Sequence, residues 1–429
     1  MKKIFVGLLV VVMVIAFVGC NKFKTQNNKA EQDVQYSDDQ VLFAAQDRCD
    51  VEEDRYNVYS YNYNGELLDS FDSSGYIGYY AENGLAPAAN QNTGKVGFVD
   101  KDGVFQIEPK YADAAPFSKE GIALVKIETE NNGNYTSKCG YINSKGEEII
   151  PCIYDKATSF FDCGYALALT EKNTTDEKGH NFSEVWKHYI IDKNGDDVIT
   201  IDVIAEERKI IAVYKDYFVC TTNYGEAIFD FSNNKLSEIK RPNDNETQFD
   251  YYYMAKDCVY KNTYEKVDEY NSKIIKTERF NGEKFIENKK DYEITSKPVA
   301  TTQSGLGYGM TKNDKTVIPF EYDQICEYGE YFVAIKYTGN NIHLNQTFDI
   351  YDKNFNKTAE NIKYAFSYRG DTYGLNCQLP NGYFQIIAEN DDYESVNGII
   401  DYTGKVIVEP VFGRGIRLYS YEGMGAFDW

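Results

Sequence analysis

The sequence is poor in histidine, tryptophan and proline, and it lacks the common catalytic signatures. Three histidines, two tryptophans and nine prolines occur in 429 residues. No HExxH, GxSxG or Cys-His arrangement is present, and the SxxK match from Ser232 to Lys235 falls at a predicted hairpin turn rather than a helix start. His180 and His188 share a polar insertion, and His343 lies in a separate loop. We therefore predict no catalytic residue, no metal site and no cofactor, and we expect that the protein is not an enzyme.

Positive charge is also scarce. The chain has 45 lysines and arginines against 67 acidic residues, a formal net charge of -22. Such an acidic excess repels phosphate backbones, which excludes nucleic acid as a partner. Long helical periodicity is absent, whereas 38 tyrosines, 25 phenylalanines and 32 glycines favour strands and turns. The composition predicts an all-β fold. A glycan hydrolase with a carboxylate pair stays open as an alternative, because many carboxylates are available.

The first residues have the pattern of an export signal. Lys2 and Lys3 precede an uncharged apolar run of 15 residues, 4–18. A membrane-spanning helix needs roughly 20 apolar residues, so the run fits the core of a signal peptide better than a permanent anchor. It ends in the tetrapeptide FVGC at residues 17–20, which resembles the bacterial lipobox. A generic signal peptide that ends near a chance cysteine is the alternative.

The lipobox resemblance implies where the protein works. It implies a lipoprotein signal peptide over residues 1–19, cleavage before Cys20, and acyl chains such as palmitate attached to that cysteine. Residues 20–39 are polar and poor in hydrophobic residues, which predicts a flexible tether. Residues 40–429 then form the exported domain. We expect a location in the bacterial cell envelope, outside the cytoplasm, with the membrane as a partner through the lipid anchor.

The exported part contains internal repeats of about 42 residues. Residues 96–127 and 139–171 share a Gly-aromatic pair, a polar turn with Gly, a Pro, a Tyr-x-x-Ala segment, a Phe and a Gly-x-Ala strand. Residues 189–203, 309–336 and 398–412 hold eroded copies. Each unit predicts a hairpin whose second strand ends at the proline. The predicted hairpin turns lie near Gly65, Gly103, Gly146, Gly195, Asn234, Gly282, Asp314, Asn356 and Gly404.

These units resemble WG repeats, also called KWG repeats. The matching positions include Gly97, Phe98, Gly140, Tyr141 and the prolines that follow them, although Val96 and Cys139 replace the tryptophan that names the family. The resemblance implies an exported or surface-attached protein without established catalytic residues. It does not imply a particular ligand.

Units that cannot bury both faces alone must stack on one another. About eight units with three or four strands each predict a β-propeller of seven or eight blades, and an open β superhelix is the alternative. Strand-like segments at both ends, Val41–Ala45 on one side and residues 415–421 and 425–429 on the other, can complete one shared blade. That possibility favours closure.

Three further features suggest chemistry, and each also has a structural interpretation. The segment Asp192–Asp197 partly resembles a calcium loop but lacks the glutamate that such a loop needs, so we interpret it as a hairpin turn. Cys139 and Cys152 flank a turn, where they form either a cross-strand disulfide or two packed thiols. Two aromatic clusters have two possible interpretations, as core residues or as ligand contacts. The clusters are Tyr76, Tyr79, Tyr80 and Tyr251, Tyr252, Tyr253.

The sequence thus predicts a membrane-anchored lipoprotein whose repeat domain is a non-enzymatic binding or scaffold module. Its expected ligand is a protein or an envelope polysaccharide. The glycan-acting hydrolase, with carboxylates in a central funnel, and a purely structural spacer are the alternatives.

Overall fold

The computed structural model describes residues 41–50, 55–62, 64–73, 77–78, 80–90, 92–131, 134–175, 178–223, 225–239, 247–254, 258–266, 272–288, 291–300, 302, 305–338, 345–366, 382–389 and 395–412. All of them belong to one compact unit, Asp38–Trp429. The predictions for the signal peptide, Cys20 and the tether lie outside the described residues, as do those for Tyr76, Tyr79, His343 and residues 415–429.

The described part of the chain is built from nine antiparallel sheets of three or four strands, numbered here along the chain. Strands that are neighbours in a sheet are also neighbours in sequence. Sheets 1 to 3 contain β1 (Val41–Asp50), β2 (Arg55–Asn62), β3 (Leu67–Ser73); β4 (Ala86–Ala89), β5 (Val96–Val99), β6 (Phe105–Tyr111); β7 (Asp113–Ala114), β8 (Ile122–Asn131), β9 (Asn134–Asn143), β10 (Glu148–Tyr154).

Sheets 4 to 6 follow, with the short helix α1 (Val203–Glu206) between sheets 4 and 5. Their strands are β11 (Lys156–Ala157), β12 (Tyr165–Thr175), β13 (Asn181–Asp192), β14 (Asp197–Asp202); β15 (Lys209–Val213), β16 (Tyr217–Thr222), β17 (Gly225–Asp230), β18 (Lys235–Ile239); β19 (Gln248–Met254), β20 (Val259–Lys266), β21 (Ser272–Phe280), β22 (Phe285–Glu287).

Sheets 7 to 9 complete the described part of the unit. Their strands are β23 (Glu293–Pro298), β24 (Leu306–Lys312), β25 (Lys315–Tyr322); β26 (Gln324–Tyr328), β27 (Tyr331–Tyr337), β28 (Gln346–Asp352), β29 (Lys357–Ile362); β30 (Ala365–Phe366), β31 (Tyr383–Glu389), β32 (Ser395–Asp401), β33 (Val406–Phe412). The all-β repeat fold is therefore confirmed. Each of the nine predicted hairpin turns lies in a sheet of its own, so the described residues form nine sheets where seven or eight blades are predicted. Units whose motif is eroded still form complete sheets.

Asparagine and aspartate side chains build the hairpin turns. In sheet 2, Oδ1 of Asp100 accepts hydrogen bonds from the backbone nitrogens of Asp102 and Val104, both at 3.0 Å. Gly103 completes this turn with a φ of +75°, a conformation in which glycine avoids the steric penalty of a side chain. Asp352 and Asp401 accept the same pair of bonds in sheets 8 and 9. The repeat therefore keeps Asp or Asn at this position for the backbone of the turn.

The repeat glycine and the repeat proline both belong to one β-bulge. In sheet 3, Tyr141 pairs with Ile150 and Cys139 pairs with Tyr154, so β10 carries two extra residues opposite Gly140. A methyl group on Gly140 would lie 2.6 Å from the backbone nitrogen of Cys152, so the bulge needs a glycine beneath it. Sheets 2, 7 and 9 have the same bulge, each with a glycine and a proline.

This bulge corrects the predicted end of the second strand. In sheet 3 the strand continues beyond Pro151 to Tyr154, because the proline sits in the bulge, where its missing N–H costs no ladder hydrogen bond. Sheet 8 lacks the proline and carries one extra residue, with Asp349 in place of the glycine. There the Asp349 carboxylate accepts a hydrogen bond from the backbone nitrogen of Asn361 at 2.8 Å.

Apolar side chains from successive sheets pack together to form the core. Leu124 and Tyr141 of sheet 3, for example, pack with Ala166 and Ile191 of sheet 4 in one buried cluster. The glycines at six of the predicted hairpin turns also lie against a neighbouring sheet, as Gly146 does against Ile107. Burial of apolar surface between sheets supplies the main stabilising term.

The same contact joins the first sheet to the last. Gly65, in the turn of sheet 1, lies so close to Ile407 of β33 that a side chain at Gly65 would overlap the Ile407 backbone. This contact favours the closed arrangement over the open superhelix. Among the described residues, β1 and β33 belong to separate sheets. The predicted shared blade involves residues 415–429 and lies outside the described residues. No helix within the described ranges is long and apolar enough to span a membrane.

Candidate functional site

Several residues with suggestive sequence patterns have structural roles. Asp192 accepts hydrogen bonds from the backbone nitrogens of Asn194 and Asp196, which confirms the hairpin turn in place of a calcium loop. Ser232 lies in the turn between β17 and β18, where its backbone nitrogen bonds Asp230. His188 is buried in β13, and burial lowers its pKa to about 4 despite a hydrogen bond to the backbone of Ile210.

The two cysteines of sheet 3 are free thiols on opposite faces. Cys139 packs in the cluster shared with sheet 4, whereas Cys152 packs against the cluster shared with sheet 2. Burial raises the pKa of Cys139 to about 11 and that of Cys152 to about 12, so both are unreactive at neutral pH. The packed-thiol interpretation is therefore confirmed, and the disulfide alternative is wrong because the sheet separates the two sulfur atoms.

Among the described residues two acidic side chains are buried, and each is held by at least one lysine. Glu278 contacts Lys261 at 2.5 Å and Lys276 at 2.9 Å. Asp349 contacts Lys357 at 2.7 Å and accepts a hydrogen bond from the Tyr322 hydroxyl at 2.6 Å. Burial opposes ionisation of both carboxyls, but these contacts hold their pKa values below the usual range. Both are therefore ionised, structural carboxylates.

The pKa of a third carboxyl, Asp197, is raised by burial and by the neighbouring Asp196. Asp197 also hydrogen-bonds Tyr154 of sheet 3. No group of three or more potential metal ligands occurs within the described ranges.

The described residues of the predicted aromatic clusters lie partly in the core and partly on the surface. Tyr80 is buried, and its hydroxyl donates to the carbonyl oxygen of Asp100 at 3.0 Å, so it belongs to the core. In β19, side chains alternate between the two faces of sheet 6. Tyr252 packs against the core cluster shared with sheet 5. Tyr251 and Tyr253 lie on the opposite face and are 52% and 38% exposed.

Five aromatic side chains share that exposed face of sheet 6, which we call the aromatic face. The register pairs Phe249 with Tyr264, and Tyr253 with Tyr260. Both pairs are stacked, with ring centroids 5.3 and 5.2 Å apart and ring planes within 5° and 9° of parallel. Tyr251 lies between the two stacks, opposite Asn262. Stacking across strands therefore holds four of the five rings in fixed orientations.

Polar groups lie among and beside the rings. Asn262 accepts a hydrogen bond from the Thr277 hydroxyl at 2.9 Å. On the neighbouring strand β21, Arg279 pairs with Tyr260 and is exposed. β19 pairs only with β20 among the described residues, so it forms one edge of the sheet. The aromatic face thus combines flat apolar rings with amide, hydroxyl and guanidinium groups at a sheet edge.

The other face of sheet 6 is held by charged contacts as well as apolar ones. Lys261 lies between Glu278 and the ring of Phe285, whose centroid is 5.2 Å from the ammonium nitrogen. The Thr263 hydroxyl donates to Asp250 at 2.7 Å. These contacts fix β19, β20 and β21 from behind and keep the aromatic face a rigid platform.

Sequence reasoning found Tyr251 and Tyr253 but missed Phe249, Tyr260 and Tyr264. The signal was present, because the three aromatic residues of β19 that share the face are two residues apart. The sequence does not show the pairing register that places these residues of β20 beside those of β19.

A cavity of about 330 Å³ occurs elsewhere, on sheet 5. It is lined in part by Arg208, Phe229, Lys235 and Glu238. Arg208 forms an ion pair with Glu206 and stacks on Phe229, and Lys235 contacts Glu238 at 2.6 Å. Three of its charged groups, Arg208, Lys235 and Glu238, are thus already paired within the protein, which makes it a weaker candidate than the aromatic face.

Comparison with known proteins supports the repeat assignment. The family described as "WG containing repeat" matches residues 97–128 and 140–173, which span the two units with the clearest motif. No curated protein matches the sequence.

Solved structures show only distant similarity. A protein of unknown function from Bacteroides caccae is 9% identical, with a TM-score of 0.23 over 63% of this chain and 86% of that one. An extracellular domain of a one-component system from B. thetaiotaomicron is 12% identical, with a TM-score of 0.22 over 83% of this chain and 46% of that one. A Bombyx mori GH32 β-fructofuranosidase variant in complex with sucrose is 8% identical, with a TM-score of 0.18 over 83% and 82%. Similarity at this level carries no functional argument.

Proposed function

We propose that this WG repeat-containing chain is a lipid-anchored, extracytoplasmic binding module without enzymatic activity, and that it holds its ligand on the aromatic face. The ligand is a protein or a polysaccharide of the cell envelope. The observation that carries the proposal is the row of aromatic rings on one face of sheet 6, where Tyr251 and Tyr253 are 52% and 38% exposed and two stacked pairs join β19 to β20.

Comparison of equivalent strands supports this choice of surface. In sheet 3, the corresponding strand buries Ala123, Leu124 and Val125 completely, on both faces. In sheet 6, Tyr260 and Tyr264 of β20 are half-buried. Exposed aromatic residues forgo the stabilisation that burial would supply, and grouped ones commonly mark a binding surface.

The state of the carboxylates supports a binding role over the glycan hydrolase. A general acid needs a raised pKa, whereas the buried Glu278 and Asp349 are held ionised by lysines. Asp197, whose pKa is raised, lies in sheet 4 rather than on the aromatic face. A hydrolase would show turnover of envelope glycans that is lost in Asp197→Asn or another single carboxylate variant, and that result would replace the binding role.

The anchor is tested by the fate of Cys20. Cells that express the full chain are labelled with a palmitate analogue and then extracted with a phase-separating detergent. We expect the protein to carry label and to enter the detergent phase, and the Cys20→Ala variant to do neither. Equal labelling of the two proteins would overturn lipidation at this residue.

The binding role is tested with the full chain in detergent, immobilised and exposed to solubilised envelope. We expect the chain to retain an envelope component that the triple variant Phe249→Ala, Tyr251→Ala, Tyr253→Ala loses. Tyr135→Ala is the matched control, because Tyr135 lies on β9 and is 70% exposed. Equal retention by the triple variant would contradict the assignment of the aromatic face.

A further inference from the structure

We propose that the aromatic face binds an uncharged polysaccharide chain that runs along β19. The inference rests on the proposed function and adds the chemical class of the ligand. It follows from the spacing and orientation of the rings, from the polar groups among them and from the charge of the protein.

The three aromatic side chains of β19 form a row that suits an extended polymer. Phe249, Tyr251 and Tyr253 are separated by two residues each, which places successive side chains about 7 Å apart on one face. In each stacked pair, one face of the β19 ring contacts its β20 partner, and the second face is turned away from it. These outer ring faces are flat, apolar surfaces on which the C–H groups of a sugar ring can pack.

The polar groups match the remaining surface of a sugar. Sugar hydroxyls both donate and accept hydrogen bonds, so their partners must do both. The tyrosine hydroxyls provide donors and acceptors, and the exposed Arg279 provides donors. A ligand site with apolar faces and a few placed polar groups recognises a molecule that is itself amphipathic.

Charge excludes an anionic polymer. The chain carries a formal net charge of -22, and this field repels polyuronates and polyphosphates. Behind the aromatic face, the charges of Lys261 and Lys276 are countered by Glu278, so these lysines do not form a basic patch. Arg279 and Lys266 are exposed on the same side of the sheet, and two such cations are weak attractors for a polyanion. The favoured ligand is therefore neutral.

A peptide is the competing occupant, because β19 is an edge strand. A peptide added as a strand would bind mainly through backbone hydrogen bonds, so loss of a single aromatic side chain would affect it weakly. Sugar stacking depends on the ring itself. Replacement of Tyr251 by alanine and by phenylalanine therefore separates the two modes, because phenylalanine keeps the ring and removes only the hydroxyl.

The test is affinity electrophoresis of the full chain in detergent through gels that contain one polysaccharide each. The neutral panel is mixed-linkage β-glucan, glucomannan, xylan and α-mannan, and the anionic panel is polygalacturonate and alginate. Wild type, Tyr251→Ala, Tyr251→Phe and the control Tyr135→Ala run side by side. We expect retardation by at least one neutral polymer, with affinity reduced about fivefold in Tyr251→Ala, about twofold or less in Tyr251→Phe, and unchanged in Tyr135→Ala.

Other outcomes overturn the proposal in distinguishable ways. Retardation by the anionic polymers alone, or equal retardation of wild type and Tyr251→Ala, would contradict a neutral glycan on this face. If no polymer binds while envelope capture still requires the aromatic face, the glycan assignment fails and the proposed function stands. If envelope capture is also independent of the face, both fail.

Discussion

The glycine that gives the repeat its name is expected to be indispensable for packing rather than for backbone flexibility. Gly140 lies beneath the bulge of β10, and a methyl group there would lie 2.6 Å from the Cys152 nitrogen and 2.7 Å from the Ile150 oxygen. Both are backbone atoms, so no side-chain rotation relieves the overlap. The Gly140→Ala variant must therefore displace the bulge.

The expected loss of folding free energy follows from the side chains that the bulge positions. Ile150 packs in the cluster shared with sheet 4, and Cys152 packs toward sheet 2, so displacement disturbs both sheet contacts. Overpacking of this kind costs about 1 to 3 kcal/mol, and we expect the upper end of that range. For a cooperative unit of about 390 residues, ~1 kcal/mol corresponds to about 1 °C, so the midpoint of thermal unfolding should fall by about 3 °C.

Calorimetry of the full chain in detergent measures this midpoint. The matched control is Gly121→Ala in the same sheet. Gly121 has a φ of +72° and nothing within 4 Å of an added methyl group, so its variant incurs only backbone strain of about 1 kcal/mol. If Gly140→Ala lowers the midpoint no more than Gly121→Ala does, the packing role of the repeat glycine is refuted.

Two further predictions concern buried groups. Because the folded-state pKa of Asp349 is lowered, its contribution to stability is full above the unfolded-state value of about 3.9 and is lost as pH falls through the folded-state pKa. Urea unfolding of Asp349→Asn should therefore show lower stability at pH 7 and a smaller loss on acidification than wild type; parallel pH profiles would contradict this. Cys139 and Cys152 should resist alkylation at pH 8 in the folded chain and label fully in urea without reductant. A requirement for reductant would mean that a disulfide exists.

The sequence contained the turns because turn chemistry is local. At five of the nine predicted turns an Asp or Asn is followed three residues later by a glycine, and all nine occur between paired strands. The glycine and proline of the motif were visible separately, but their association in one bulge was not. It depends on the register of two strands, which places Gly140 opposite the residues after Pro151.

The candidate site was only partly predictable for a related reason. Alternation along β19 separates Tyr252 from Tyr251 and Tyr253, but the sequence does not state which face packs on the next sheet. The stacked partners come from β20 through a pairing register that the local sequence does not specify, and the exposure of the face depends on packing between sheets. The eroded units keep the spacing of the turns without the rest of the motif, so the nine turns were predictable while the number of complete sheets was not. Asp349 shows how one such unit keeps a bulge, with a carboxylate where other units have glycine.

Photocrosslinking in intact cells tests the central claim most directly. A benzophenone amino acid replaces Tyr251 on the aromatic face or Tyr135 on β9, and the illuminated cells are examined for adducts of the protein. The account predicts a carbohydrate-positive adduct of high mass from position 251 and none from position 135. An adduct of equal yield from both positions, or none from position 251, would contradict the claim that the aromatic face holds the ligand.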